Sequence, residues 1–127
     1  MKIFGHGVDL VSVSRIRGIL ENGGDHFETR VFSEGERGYC RARKDPMPHF
    51  AARFAAKEAY GKAIGLGLGP SGDFREIEVV NTEGGRPLLR LAGKAEEIFR
   101  LKGGGEVLLS LSHEGDFAMV SVIVTVS

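Results

Sequence analysis

The segment HFAARFAAKEAYGKAIGLG, residues 49–67, constrains the fold more than any other stretch of the chain. Wound at 3.6 residues per turn, its alanine, phenylalanine, tyrosine and isoleucine side chains leave almost no continuous polar face. A helix apolar nearly all round is a buried helix, so the remaining chain must wrap around it. Yet Arg53, Lys57, Glu58 and Lys62 are threaded through it. Glu58 and Lys62 share one face with Ala51 and Ala55, while Arg53 and Lys57 lie elsewhere. Charges on a buried helix are costly unless they are paired or hold an ion or ligand. A solvated Glu58–Lys62 pair would be worth only ~0.3–0.5 kcal/mol, and the helix alone does not choose between the two readings.

The flanking segments supply the wrapping. Residues 2–10 read as a strand entering a serine-rich turn, where Ser12 or Ser14 caps a helix carrying Val13, Ile16, Ile19 and Leu20 on one face. Asn22-Gly23-Gly24 ends that helix. Ser33 and Glu36 have capping-box spacing and open a second short helix to about Arg43, in which Cys40 is structural. Pro46 and Pro48 break the chain before the main helix, predicted from His49 to Ile64. Phe74–Val80 and Pro87–Leu91 predict a hairpin around NTEGG, and Ala92–Lys102 has helical spacing. Val107–Ser112 and Phe117–Val126 alternate and are joined by HEGD as a closing hairpin. The predicted architecture is α+β, a mostly antiparallel sheet packed with helices, with residues 1–127 as a single domain. The last strand is so rich in valine that it must be central or covered by another subunit.

Lysine and arginine balance aspartate and glutamate, 17 against 17, so bulk charge gives no reason to expect a nucleic-acid partner. The longest apolar run, near Ala118–Val126, is too short to span a bilayer, and the N-terminus lacks a signal-peptide pattern; a soluble protein is expected. One cysteine permits no internal disulfide and fits a reducing cytoplasm. Histidines 6, 26, 49 and 113 show no metal-ligand spacing, so zinc is not expected. GLGLGPSG follows a helix instead of opening one and lacks Gly-Lys-Ser/Thr, so it is no phosphate loop; Gly65 reads as the C-terminal cap.

Asp9 closes the apolar strand in GHGVDL. Alone, it reads as a turn or capping residue. If it converges with Glu58, two hard carboxylates become available for Mg²⁺, which takes one or two protein carboxylates and leaves the rest to water and phosphate oxygens. Lys62 and Arg53 would then neutralise phosphate charge, a set suited to phosphoryl chemistry.

GVDLVSVSRI, FAARFAAKEAYGKAIGLG, GGRPLL and LSLSHEGDFAMVSVIV, in this order and spacing over nearly the whole chain, resemble the holo-acyl-carrier-protein synthase type of 4′-phosphopantetheinyl transferase. The resemblance implies transfer of the phosphopantetheine arm of coenzyme A to a serine of apo-acyl carrier protein, releasing adenosine 3′,5′-bisphosphate. It implies Asp9 and Glu58 as Mg²⁺ ligands, and Glu58 and Lys62 as catalytic residues. Arg53, Lys62, Gly65 and His113 would contribute to coenzyme A binding. Glu58, or a water it orients, would remove the serine proton. Arg15 and Arg17 would dock an acidic carrier protein, and the chain would be a cytoplasmic homotrimer with sites at subunit interfaces. Fatty acid biosynthesis is the expected setting, with polyketide carriers left open. KDPMPHF departs from the pattern, with two prolines where a basic helical stretch is expected, and no nucleotide contact is assigned there; FSEGER is looser than usual. Two other readings compete. A pyrophosphate-cleaving hydrolase would keep the metal site, but few acids gather beside Asp9 and Glu58 to activate water. A non-catalytic assembly module would leave Glu58→Gln silent.

Overall fold

In the computed structural model, which describes residues 2–23 and 25–127, the chain runs β1 (Ile3–Ser12), α1 (Val13–Glu21), α2 (Asp25–Val31), α3 (Glu34–Arg41) and α4 (Met47–Ile64). A 3₁₀ turn (Phe74–Glu76) then leads to β2 (Ile77–Asn81), β3 (Pro87–Leu91), α5 (Gly93–Leu101), β4 (Gly104–Glu114) and β5 (Phe117–Val126). β5 is central in an antiparallel sheet of order β1-β5-β4, and β2 and β3 form a separate hairpin. The α+β expectation holds, and of the two places expected for the valine-rich strand it takes the central one.

α4 lies on one face of this sheet. Ala118, Val120, Val122 and Val124 of β5 are fully buried there, as are Ala51, Ala55, Ala56 and Ala59 of the helix. Burying each additional methylene contributes ~0.8 kcal/mol, but here proximity matters as much as area. β1 reaches the helix through Gly5 and Gly7. A Cβ at Gly7 would stand 2.0 Å from the Ala59 carbonyl oxygen, and one at Gly5 would stand 1.9 Å from that of Ala63. Only glycine permits backbone to lie this close to backbone. At its far end α4 stops at Gly65, whose φ of 85° is left-handed and whose N–H is donated to the Gly61 and Lys62 carbonyls.

The capping signals are realised. Ser12 caps α1, accepting from the Arg15 N–H, and Ser33 with Glu36 forms the full capping box of α3. Asn22 is the α1 cap, while Gly24, expected to help end that helix, lies outside the described residues. Cys40 is fully buried in α3, and burial pushes its thiol up to about 12.

Three expectations need correction. β1 runs on to Ser12, past the predicted end at residue 10, because β5 continues to pair with it as far as Phe117. Phe74–Glu76 is a 3₁₀ turn, since Asp73 and Glu76 close a capping box that holds the chain out of the strand until Ile77. α2 was not anticipated: DHFETRV buries only Val31 fully and shows no apolar period, and it docks through the Phe27 ring against Phe32 and Phe54.

Candidate active site

Period-two alternation along β1 turns Gly5, Gly7 and Asp9 toward α4. The two glycines bring the strand against the helix, and Asp9 follows at the level where α4 presents Glu58 and Lys62. The Lys62 Nζ donates to Asp9 Oδ1 at 3.1 Å and to the Val8 carbonyl at 3.0 Å. Glu58 is half-buried one turn earlier on the helix. Burial first, and the charge of Asp9 second, push its carboxyl above the ordinary value, while Lys62 and Arg15 pull it down. Two acids and two bases therefore meet at this edge of the sheet.

Asp116 anchors the adjoining α1. Its carboxylate accepts from the Ser12 and Ser14 hydroxyls at 2.7 Å each and from the Ser14 N–H at 2.9 Å, and its carbonyl accepts from Val13 N–H. An anion on the first turn of a helix also complements the helix dipole. Arg15 is exposed beside Glu58. Arg17 is paired with Asp45 at 2.7 Å, which ties α1 to the loop before α4.

The residues fit a divalent cation of the magnesium type. Asp9 and Glu58 offer hard oxygens, and the mutual repulsion that raises Glu58 is what a shared cation would relieve. Among the described residues no cluster of three or more His, Cys, Asp or Glu gathers, so the protein contribution stops at two carboxylates, leaving positions for water and phosphate.

The opposite side of α4 is different. Lys57 is fully buried, and all three of its ammonium hydrogens are used: on Glu36 Oε1 at 2.8 Å, the Phe74 carbonyl at 2.8 Å and the Ile77 carbonyl at 2.5 Å. Burial makes the charged form of Lys57 harder to hold, and Glu36 offsets this. Arg53, also buried, donates to Asn81 Oδ1 at 2.6 Å and to the His49 carbonyl at 3.3 Å, and its guanidinium lies 4.3 Å from the Tyr39 ring. Its Nε is buried without a partner among the described residues. A polar group so placed costs free energy unless an acceptor arrives.

Arg53 does not join Asp9, Glu58 and Lys62. It lines a neighbouring cavity of about 640 Å³, together with Tyr39, Arg43, His49, Asn81 and His113. His113 reaches it from β4, where it pairs across the sheet with Ala118. Gly65 serves as the helix cap and does not line this cavity. KDPMPHF, to which no contact was assigned, supplies Lys44, Asp45, Pro48 and His49 to the cavity wall: the prolines start α4 early, at Met47, and turn this segment inward. Lys57, Tyr39, His49 and Asn81 were missed. His49 lies four residues before Arg53, a helical spacing that the sequence does show; Tyr39 and Asn81 are placed by tertiary packing alone.

The chain is similar to known proteins over nearly its whole length. Residues 5–114 match the 4′-phosphopantetheinyl transferase superfamily. A holo-[acyl-carrier-protein] synthase of Syntrophotalea carbinolica is 46% identical over 119 residues, covering 94% of this chain and 93% of the relative. The crystal structure of the Neisseria meningitidis holo-[acyl-carrier-protein] synthase superposes with a TM-score of 0.90 at 31% identity, covering 96% of this chain and 98% of that one. The Bacillus anthracis synthase, solved in complex with coenzyme A (3′,5′-ADP), superposes with a TM-score of 0.82 at 35% identity over the full length of both chains.

Proposed function

The chain belongs to the 4′-phosphopantetheinyl transferase superfamily, and from that premise we propose that it transfers the 4′-phosphopantetheine arm of coenzyme A to a serine of apo-acyl carrier protein. The carrying observation is the convergence of Asp9, Glu58 and Lys62 where β1 meets α4. Asp9 and Glu58 would hold Mg²⁺, which when bound supplies charge neutralisation for the pyrophosphate. Glu58 takes the proton of the carrier serine directly or through a water it orients. The serine Oγ–P bond forms as the bridging P–O bond of the pyrophosphate breaks. The Lys62 ammonium holds the pyrophosphate and meets the negative charge that develops on the leaving adenosine 3′,5′-bisphosphate. The nucleotide end of coenzyme A occupies the cavity of Arg53 and His113, where the cationic lining of Arg43, Lys44 and Arg53 supports an anionic guest. Gly65 contributes by ending α4 beside Lys62.

The carrier, an acidic protein, docks on α1 through Arg15 and Arg17, which steers its serine toward Glu58. The sheet face away from α4 supports the homotrimer. There Leu10 and Met119 stand opposite each other across β1 and β5, 60% and 44% exposed, beside Val8 and Phe117. Such an apolar face calls for a cover, and further copies of the chain supply it. A cytoplasmic setting in fatty acid biosynthesis follows from this partner; among the described residues no helix is long and apolar enough to cross a membrane.

Mass spectrometry of apo-carrier incubated with the protein, coenzyme A and magnesium tests the reaction. A gain of one phosphopantetheine on serine is expected, with coenzyme A intact when the carrier is omitted. No gain on any carrier tried would overturn the proposal.

A further inference from the structure

His49 stands in the first half of α4 with its carbonyl held by Arg53, and its ring is edge-on to Tyr39, centroids 5.9 Å apart. Tyr39 is also the platform for two guanidinium groups, Arg43 at 4.5 Å and Arg53 at 4.3 Å from its ring centre. His113 faces the same space from β4, and Lys44 adds a further cation from the loop before α4. Against these stands Asp45, the one acid among the described residues that line the cavity. It is already engaged, with Arg17 at 2.7 Å and with the Met47 N–H at 3.2 Å. The cavity thus gathers cationic and protonatable groups with little counter-charge of its own.

We propose that His49 is a proton-accepting ligand of this cavity: a phosphomonoester dianion on the nucleotide draws a proton onto the ring as it binds, and the resulting imidazolium grips the phosphate together with the arginines. The inference rests on the coenzyme A reading of the cavity. Burial first, and then the charges of Arg53, Arg43 and His113, hold His49 below the ordinary histidine value, with Asp45 a smaller opposing influence. These surroundings favour the neutral ring. A bound dianion reverses the sign of the local field and favours the cation. Affinity for the nucleotide then rises as pH falls toward the histidine range, by linkage between proton and ligand.

Calorimetric titration of the full-length protein with adenosine 3′,5′-bisphosphate tests this, in two phosphate-free buffers of different ionisation heat. Net proton uptake at about pH 7 is expected, with affinity about three- to tenfold weaker at pH ~8 than at pH ~6. His49→Phe keeps a ring against Tyr39; it should abolish the uptake and flatten the pH dependence, with affinity no higher than that of the natural protein at any pH. His113→Gln should retain most of the uptake. NMR titration of the His49 ring in the unaltered protein needs no variant to fold, and should show its pKa rising when the nucleotide is bound. Uptake that persists in His49→Phe, no uptake in the unaltered protein, or a His49 pKa unmoved by ligand would overturn the inference and leave the coenzyme A reading standing. No binding at any pH would overturn both.

Discussion

The two charged sides of α4 are built from the same residue types and serve opposite ends. On one side Lys57 has every hydrogen donated to protein, and no exposed surface. On the other, Lys62 is 55% exposed at the side chain, touches Asp9 and Val8, and keeps a hydrogen for something else. Saturation marks the structural lysine, and incompleteness the one with a hydrogen left for a ligand. The same contrast separates Glu36, which accepts from Ser33 N–H, Val79 N–H and Lys57, from Glu58, which accepts from none of the hydrogen-bond donors among the described residues.

The sharpest way to break the comparison is to remove Lys57. Lys57→Met leaves Glu36 charged and buried, and should cost about 3–5 kcal/mol, read by denaturant unfolding. If the loss were below about 1 kcal/mol, solvent would have to reach the pair and the two sides would not differ as described. Glu58→Gln should do the reverse. Transfer should fall about 10²–10³-fold, measured as holo-carrier formed per unit time, with Tm unchanged or raised. The sign follows from linkage. Because the folded-state pKa of Glu58 lies above its unfolded value, Glu58 adds stability only at acid pH, and that contribution is gone once pH has risen through the raised value. At neutral pH nothing is lost by neutralising it.

In the metal-free protein the same burial and Asp9 charge predict that the Glu58 carboxyl titrates above the ordinary glutamate range, read by NMR, and that added Mg²⁺ brings it down. Asp9→Asn should lower the Glu58 titration in the metal-free protein, since the Asp9 charge is the second cause of the shift. Smallest is the effect at Arg17. Its pair with Asp45 is exposed on both partners, so Asp45→Asn should change the unfolding free energy by less than about 0.5 kcal/mol. The arginine so released should lower KM for the carrier a fewfold at low salt, with the gain fading as salt is raised.

Much of this was legible beforehand. The apolar helix announced its burial, the capping-box spacing placed α3, and alternation placed β4 and β5, because each signal is local and periodic. The metal pair was a conjecture from Asp9 and Glu58 that only the strand–helix contact could bring together. Lys57 and Glu36 were opaque because nothing in the spacing of residues 36 and 57 reveals that they meet. The cavity was half-legible: Arg53 and His113 were named from resemblance, whereas Tyr39, Asn81 and His49 are assembled from α3, β2 and the start of α4 by packing. α2 had no pattern to read, being held by aromatic rings instead of an apolar stripe.

Gly5 and Gly7 carry a consequence beyond closeness. They act as a spacer of zero thickness, so the spacing of the two backbones that carry Asp9 and Glu58 is set by main chain pressed on main chain. Even a single methyl group at position 7 would wedge strand from helix and carry Asp9 away from Glu58, with both acids intact in the sequence. Residues with no functional group at all thus govern how closely the strand and the helix present their acids.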